Sequence, residues 1–467
     1  MNIEKNIKFI EQQESIRSES KAYKRLLSLF DEDTFSEIDP FLKSSDDYAE
    51  VIAGYGLISG SAVYAFSQDC DKDGGAISKA QLKKIKKVYE LAAKTGIPII
   101  GLYDSIGAKI NEGNELIYDY GEVLKLNHQV SGVVPKISVI LGASLGTNAI
   151  LASSADFVIM QKSARLGIST IDKGSSAKDA ETTGVSHITA INETDAINKT
   201  KRLISMLPLN NLSKPSTKTF NESINNLKEL DELSKSVCKS TEKDIMKKII
   251  HSICDDKSFL EMQSGYGLSL IVGLGRIGGN TVGIISSNIY NNGVIDADAC
   301  SKASRTLRFC DAFSIPVLTI INSRSFESLK EATMLSCVYS EATTAKINLI
   351  VGEAYGSVYI ALAGKGSGTD VVFSWPNAIV SPLEPKTAVH ILLNSEIKKL
   401  KDPINDKGRL IKAYEETQAS AFIASSEGFI DDVIRPSDTR AKLISVLDFL
   451  AGKRVSTLPK KHSNILL

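Results

Sequence analysis

Four segments of this chain occur twice, in the same order and at nearly constant separation, and that duplication limits the fold more than any other feature. FDEDTFSE at 30–37 returns as CDDKSFLE at 254–261. Gly54-Tyr-Gly56-Leu-Ile58-Ser-Gly60 returns as Gly273-Leu-Gly275-Arg-Ile277-Gly-Gly279, and Gly96-Ile-Pro98-Ile-Ile-Gly as Ser314-Ile-Pro316-Val-Leu-Thr. Lys136-Ile-Ser-Val-Ile-Leu-Gly142 with Gly146 returns as Lys346-Ile-Asn-Leu-Ile-Val-Gly352 with Gly356. The offsets fall only from 224 through 219 and 218 to 210 residues, far beyond the roughly 20–50-residue period of a solenoid. The chain is therefore expected to hold a duplicated domain. The copies are placed at 1–235 and 241–467, with a polar linker at 206–240 that contains LSKPSTKTFNESINN.

Each copy reads as α/β. In the first, strands near Val51, Ala62–Gln68, Pro98–Tyr103, Ile137–Leu141 and Phe157–Met160 alternate with helices. Leu82, Ile85, Val88, Leu91 and Ala92 recur at helical spacing between Ser78 and Thr95, and Gly96 is placed to end that helix. Further helices are expected over Leu116–Val130 and from Gly146 onward, and Leu26, Leu27 and Leu29 are expected to anchor the N-terminal segment. With 467 residues there is length for two or more cores. Balanced charge, 55 basic against 55 acidic residues, provides no global field for nucleic acid or an anionic membrane. Six scattered cysteines without a CxxC pair argue against a zinc site or a disulfide frame. No signal peptide and no membrane-spanning apolar run is found, so the expectation is a cytoplasmic protein.

Conventional catalytic groupings are absent. The five histidines stand in no HExxH or nucleophile-elbow context, and there is no Walker A loop. Glycine remains. Gly142-Ala-Ser-Leu-Gly146-Thr-Asn and Gly352-Glu-Ala-Tyr-Gly356-Ser-Val each close a strand and open a helix at matched positions. A strand-to-helix turn presents free N–H groups at the positive end of a helix, and fixed N–H donors stabilise a developing oxyanion without reorganising. The alternative is that these glycines only allow a helix to pack closely on a strand. Two copies with one spacing favour the donor reading. Asp104-Ser-Ile-Gly107-Ala-Lys adds a second glycine turn that can complete the first donor set.

At this point the motifs become specific. Asp104-Ser-Ile-Gly-Ala-Lys-Ile-Asn-Glu-Gly113 resembles DSGGARIQEG, and Ser131-Gly-Val-Val-Pro-Lys-Ile-Ser-Val-Ile140 resembles SGVVPQISVI. Leu307-Arg-Phe-Cys-Asp-Ala-Phe-Ser-Ile-Pro-Val-Leu-Thr319 resembles VRFCDAFNIPLVT, Tyr339-Ser-Glu-Ala-Thr-Thr-Ala-Lys-Ile-Asn-Leu-Ile350 resembles YSEATVPKVTVI, and Lys460–Leu467 resembles KKHGNIPL. All are patterns of the carboxyltransferase component of biotin-dependent acyl-CoA carboxylases and the related decarboxylase subunits. The resemblance implies two tandem crotonase-like domains. It implies transfer of a carboxyl group between carboxybiotin on a separate carrier protein and a short-chain acyl-CoA, acetyl-CoA or propionyl-CoA. It further implies two oxyanion holes: Gly107, Gly146 and Thr147 for the CoA thioester, and Gly356, Ser357 and Val358 for biotin, with Ile360 at the acyl-pocket position. The partners implied are a biotin carboxyl carrier protein with a biotin carboxylase or a membrane decarboxylase subunit, and further copies of this chain, as a hexamer built from dimers. No biotinylation site or ATP-binding loop lies in the chain itself.

Several departures bear on the site. Both holes read Gly-Gly in the family but Gly146-Thr147 and Gly356-Ser357 here. The PGF loop is replaced by Ser323-Arg-Ser-Phe-Glu-Ser-Leu-Lys, shorter by about nine residues. A stretch after Leu166-Gly-Ile-Ser is trimmed, leaving Thr170-Ile-Asp-Lys-Gly-Ser-Ser, Val380-Ser-Pro-Leu-Glu-Pro-Lys386 replaces a methionine-glycine run, and Lys109 replaces an arginine. Three alternatives stay open: the decarboxylase direction from malonyl- or methylmalonyl-CoA to biotin, a non-catalytic CoA-binding paralogue, and, last, a crotonase-type hydratase or isomerase, which needs glutamates that do not follow either turn.

Overall fold

The computed structural model describes residues 3–44, 47–48, 50–168, 174–220, 228–237, 244–398, 403–460 and 464. Residues 170–173 of the stretch at 170–176 and nearly all of the C-terminal motif therefore lie outside the described residues. The chain divides into two compact units, Met1–Ser216 and Thr217–Leu467.

In the first unit, helices α1 (Ile3–Glu19) and α2 (Lys21–Leu29) precede the hairpin β1 (Ile52–Ile58) and β2 (Ser61–Ser67). Then follow α3 (Lys79–Thr95), β3 (Ile99–Ser105), α4 (Glu115–Gln129), β4 (Lys136–Leu145), α5 (Thr147–Ser153), β5 (Phe157–Gln161), β6 (Arg165–Gly167), β7 (Ile188–Ala190) and α6 (Glu193–Ile204). The sheet runs β1-β2-β3-β4-β5-β7, antiparallel at the hairpin and parallel beyond it. β4 changes partner along its length: Ile137–Ile140 pair with β5, whereas Ala143–Leu145 pair with β6. α3 starts on the Ser78 side chain, which accepts the Gln81 N–H, and ends on Gly96 at φ 67. It lays Leu82, Ile85 and Val88 into a core shared with Phe66, Tyr103 and Val123. In α2, Leu26 and Leu29 are buried, but Leu27 is 52% exposed. The expected three-leucine anchor is thus two leucines one helical turn apart, with the third rotated off that face.

The second unit repeats the plan. α7 (Lys228–Ser236) and α8 (Ile245–Ile253) lead into β8 (Leu270–Ile277), β9 (Asn280–Ser287), α9 (Ala297–Ala312), β10 (Val317–Ser323), α10 (Leu329–Glu341), β11 (Lys346–Tyr355), β12 (Val371–Ser374), β13 (Ile379–Ser381), β14 (Asp432–Val433) and α11 (Thr439–Leu450). The sheet order β8-β9-β10-β11-β12-β14 has the same hairpin and parallel ladder, and β11 changes partner from β12 to β13 as β4 does. Its core gathers Ile249, Ile284, Leu349 and Trp375, with the indole N–H on Thr439 Oγ1 at 3.0 Å.

The polar stretch at 206–240 does not act as one linker where it is described. Met206 and Leu207 are buried in the first unit, and the Asn210 amide donates to the Gly96 carbonyl at 2.8 Å. α7 buries Leu230 completely in the core of the second unit. Polar composition concealed a helix that Leu230 and Leu233, with Val237 just beyond it, are enough to dock, so the units divide earlier than the boundary expected at 235–241.

Matched residues do matched work. Asp31 accepts the Ser59 and Gly60 N–H groups at 2.9 Å each, and Asp255 accepts those of Gly278 and Gly279 at 2.9 and 2.8 Å. The N–H groups of Lys136 and Lys346, which open β4 and β11, donate to Asp156 and Asp370 at 2.8 Å each. Lys84 and Lys302 are both buried. Lys84 Nζ meets Glu37 at 3.2 Å and the Val51 carbonyl at 3.0 Å. Lys302 Nζ meets the Tyr266 and Gln263 carbonyls at 2.6 and 3.4 Å, while Glu261, counterpart of Glu37, pairs with Lys247 at 2.9 Å.

Burial therefore pushes the Lys302 ammonium down to about 8. A folded value below the unfolded one means that protonation opposes folding: the cost is complete below pH 8 and vanishes as pH approaches 10.5. Stability of the native protein relative to Lys302→Met is expected to rise by up to about 2–3 kcal/mol across that window. Urea melts of the pair at several pH values check this, and a pH-independent difference would refute it.

Candidate active site

The first turn is built where β4 ends. Gly146 takes φ 61 and ψ −135, a conformation for glycine alone, and α5 begins at Thr147. The Gly146 N–H is not free, since it donates to the Gly167 carbonyl of β6 at 3.0 Å. The Gly146 carbonyl accepts the Ala149 N–H at 3.0 Å. α5 has no side-chain cap, so the Thr147 and Asn148 N–H groups are left without an acceptor among the described residues. Thr147 is not among the residues with positive φ, and its β-carbon therefore imposes no strain.

The loop after β3 lies against this turn. A β-carbon on Gly107, at φ 119, would stand 3.3 Å from the Leu145 carbonyl. The Gly107 N–H donates to Ser105 Oγ at 3.1 Å, and its carbonyl accepts from Ile77 at 2.8 Å. The Gly107 and Gly146 N–H groups are thus already occupied, and of the three residues expected to donate here only Thr147 keeps an N–H without an acceptor among the described residues, beside that of Asn148. Lys109 pairs with Asp73 at 3.2 Å, which raises its pKa chiefly through that hydrogen bond.

In the second unit β11 ends at Tyr355 and Gly356 takes φ 42. One α-turn, Gly356–Val358, runs into a π-helical segment, Tyr359–Ala363, again without a side-chain cap. π-Helical turns are rare and concentrate at functional sites. The N–H groups of Gly356, Ser357 and Val358 find no acceptor among the described residues, and Ser357 has no positive φ. Val358 is fully buried, whereas Ile360 is 58% exposed. The shortened loop forms a two-residue strand, Ser325–Phe326, parallel to Val294–Ile295. Arg324 at its start grips Glu353 of β11, with Nη2 to Oε1 at 3.2 Å.

Among the described residues, the phenols and the thiol near the two turns are held away from neutrality. Burial pushes the Tyr355 and Tyr359 phenols up, and burial with the Asp104 carboxylate pushes the Cys70 thiol up to about 11. Among the described residues no group of three or more His, Cys, Asp or Glu is placed to hold a metal, and no helix is long and apolar enough to cross a membrane. What each turn offers is a set of neutral, fixed N–H donors, suited to stabilising negative charge on oxygen.

Sequence reasoning missed two features here. Asp73, Gly74 and Gly75 are three consecutive left-handed residues, and so are Asn291, Asn292 and Gly293. Their carbonyls hold the two loops at matched points, Ile106 N–H to Gly74 at 3.1 Å and Arg324 N–H to Gly293 at 2.8 Å. DGG and NNG at equal offset were the available signal. The other is a buried polar network behind the first turn, for which no local signal exists.

Residues 14–465 match the carboxyl transferase domain family. The chain is 34% identical over 481 residues to the putative propionyl-CoA carboxylase beta chain of Bacillus subtilis, covering 96% of this chain and 93% of that protein. It is 33% identical over 497 residues to methylmalonyl-CoA decarboxylase subunit alpha of Propionigenium modestum, covering 99% and 96%. Among solved structures, the transcarboxylase 12S hexamer with methylmalonyl-CoA and methylmalonic acid bound superposes with a TM-score of 0.90 at 30% identity, covering 98% of this chain and 94% of that one.

Proposed function

Because the chain belongs to the carboxyl transferase family, with its crotonase-like fold, we propose that it moves a carboxyl group between carboxybiotin on a separate carrier protein and a short-chain acyl-CoA, acetyl-CoA or propionyl-CoA. The observation that carries this reading is the pair of strand-to-helix turns, each opened by a left-handed glycine and each presenting uncapped N–H groups. A reaction through two enolate-like oxygens needs two such donor sets and no side-chain acid or base. In the first, the Thr147 N–H, aimed by Gly146 and Gly107, stabilises the thioester oxygen of the acyl-CoA. In the second, the N–H groups of Gly356, Ser357 and Val358 face the ureido oxygen, and a β-carbon at 356 would stand 2.6 Å from the Pro382 carbonyl. That donor set is neutral and uncapped, which fits a ureido carbonyl. Bound carboxybiotin supplies the transferable carboxyl group. Each well-aimed donor contributes about 3–4 kcal/mol to the transition state. Ile360, exposed beyond the second turn, is assigned to the acyl pocket.

The decarboxylase direction, from methylmalonyl- or malonyl-CoA to biotin, uses the same donors in reverse, and the Propionigenium modestum relative favours keeping it. Negative φ at Thr147 and Ser357 weighs against a non-catalytic paralogue, since neither side chain distorts its turn. The protein is further proposed to work as a homo-oligomer, a hexamer assembled as a trimer of dimers, with carrier and carboxylase or membrane decarboxylase subunits as separate chains. The test mixes purified protein and biocytin with malonyl-CoA or methylmalonyl-CoA and follows release of acetyl-CoA or propionyl-CoA. Turnover with one donor is expected. Failure with both, in folded protein that binds CoA, would replace this reading with the paralogue.

A further inference from the structure

A glycine N-cap leaves the opening N–H groups of α5 free for a ligand but removes the usual means of fixing a helix start. The turn is held from behind. Asn148, the second residue of α5, is 1% exposed. Its Nδ2 donates to Gln68 Oε1 at 3.2 Å and to Ser144 Oγ at 3.1 Å, and its Oδ1 accepts from Gln68 Nε2 at 3.0 Å. The Asp104 N–H also donates to Gln68 Oε1, at 3.1 Å, which fixes the orientation of the amide. Arg25 Nη1 reaches the Gln68 carbonyl at 3.2 Å. β3, β4, the end of β2 and the start of α5 thus converge on one reciprocal amide pair with every polar atom bonded.

The second unit shows that the fold does not demand this pair. There Ser287 stands at the place of Gln68 and accepts the Asn322 N–H at 3.0 Å. Val358 stands at the place of Asn148, fully buried. The amide pair is therefore an addition to the first turn of an otherwise repeated frame.

We propose that Gln68 and Asn148 are positioning residues for the first turn, their reciprocal amide pair setting the direction of the Thr147 N–H toward the substrate oxygen. The role rests on the carboxyltransferase reading. Because it acts on an interaction made most strongly in the transition state, it raises kcat more than ground-state affinity.

The test compares native enzyme with Asn148→Ala, Asn148→Leu and the double variant Gln68→Met/Asn148→Leu, whose apolar side chains refill the space. The readouts are kcat, KM, thermal stability and the calorimetric dissociation constant of the CoA thioester that the native enzyme turns over. In all three variants kcat is expected to fall at least about tenfold, with the dissociation constant moving less than about threefold. The double variant is expected to recover thermal stability lost by Asn148→Leu without recovering kcat. Native kcat in the double variant, or lost stability with native kcat in the single ones, would overturn the positioning role alone. Absence of turnover in the native enzyme would overturn the reading on which the role rests, and the role with it.

Discussion

Valine in place of Gly146 is expected to lower carboxyl transfer about a hundredfold or more while leaving the protein folded. The backbone there, at φ 61 and ψ −135, is closed to β-branched residues. A β-carbon would meet nothing within 4 Å, so the effect is conformational and not a clash. Relief of about 1–3 kcal/mol of strain draws the turn toward negative φ and swings the Thr147 N–H off its target. The measurement is kcat/KM for both CoA donors beside a thermal melt, with Gly146→Ala separating the β-carbon from added bulk. Native activity in the valine variant would remove the first turn from the site.

Arg25→Ala is expected to cost about 3–5 kcal/mol of stability. Arg25 is 2% exposed and carries Asp104 and Glu193, each at 2.9 Å from Nη2, and the Gln68 carbonyl from Nη1. Burial disfavours its cation, but the Glu193 and Asp104 carboxylates outweigh that and raise its pKa. Without Arg25, the buried Asp104 keeps, among the described residues, Lys21 Nζ at 3.8 Å as its cationic partner. Asp104 also accepts the Ala143 N–H at 3.3 Å, so the loss reaches the strand that ends in Gly146. Chemical denaturation, fitted with separate transitions for the two units, checks the value, and Arg25→Lys should recover part of it. A loss under about 1 kcal/mol would show that Lys21 or solvent can substitute for the guanidinium.

The duplication was readable because its anchors return as short contiguous strings: the string holding Asp31 and the Ser59-Gly60 turn come back as those holding Asp255 and Gly278-Gly279, although each aspartate reaches its turn from more than twenty residues away. The crotonase-like fold followed from the family motifs, and helix limits such as Ser78 and Gly96 from cap chemistry. The donors were only partly readable. That the Gly146 N–H is occupied depends on β6 pairing with the last three residues of β4, a change of partner that no periodicity announces. The occupation of Gly107 depends on Ser105 turning back two residues. Gln68 and Asn148 are 80 residues apart, and nothing local marks either as one half of a pair. α7 escaped notice because its two leucines, Leu230 and Leu233, stand among charged and polar residues in too short a helix to show a period. The π-helical winding after Gly356 leaves no mark in residue type.

The two hairpin pins hold a consequence of their own. Asp31 grips its pair of N–H groups at a half-exposed surface, and those N–H groups lower its pKa. Asp255 makes the same grip buried, beside Arg440 at 2.8 Å. One carboxylate-amide geometry is thus present twice in a single chain, in two local dielectrics. The same aspartate-to-asparagine change, made at each place in turn with the Arg440 ion pair first removed from the second, makes the molecule its own gauge of how solvent scales a hydrogen bond.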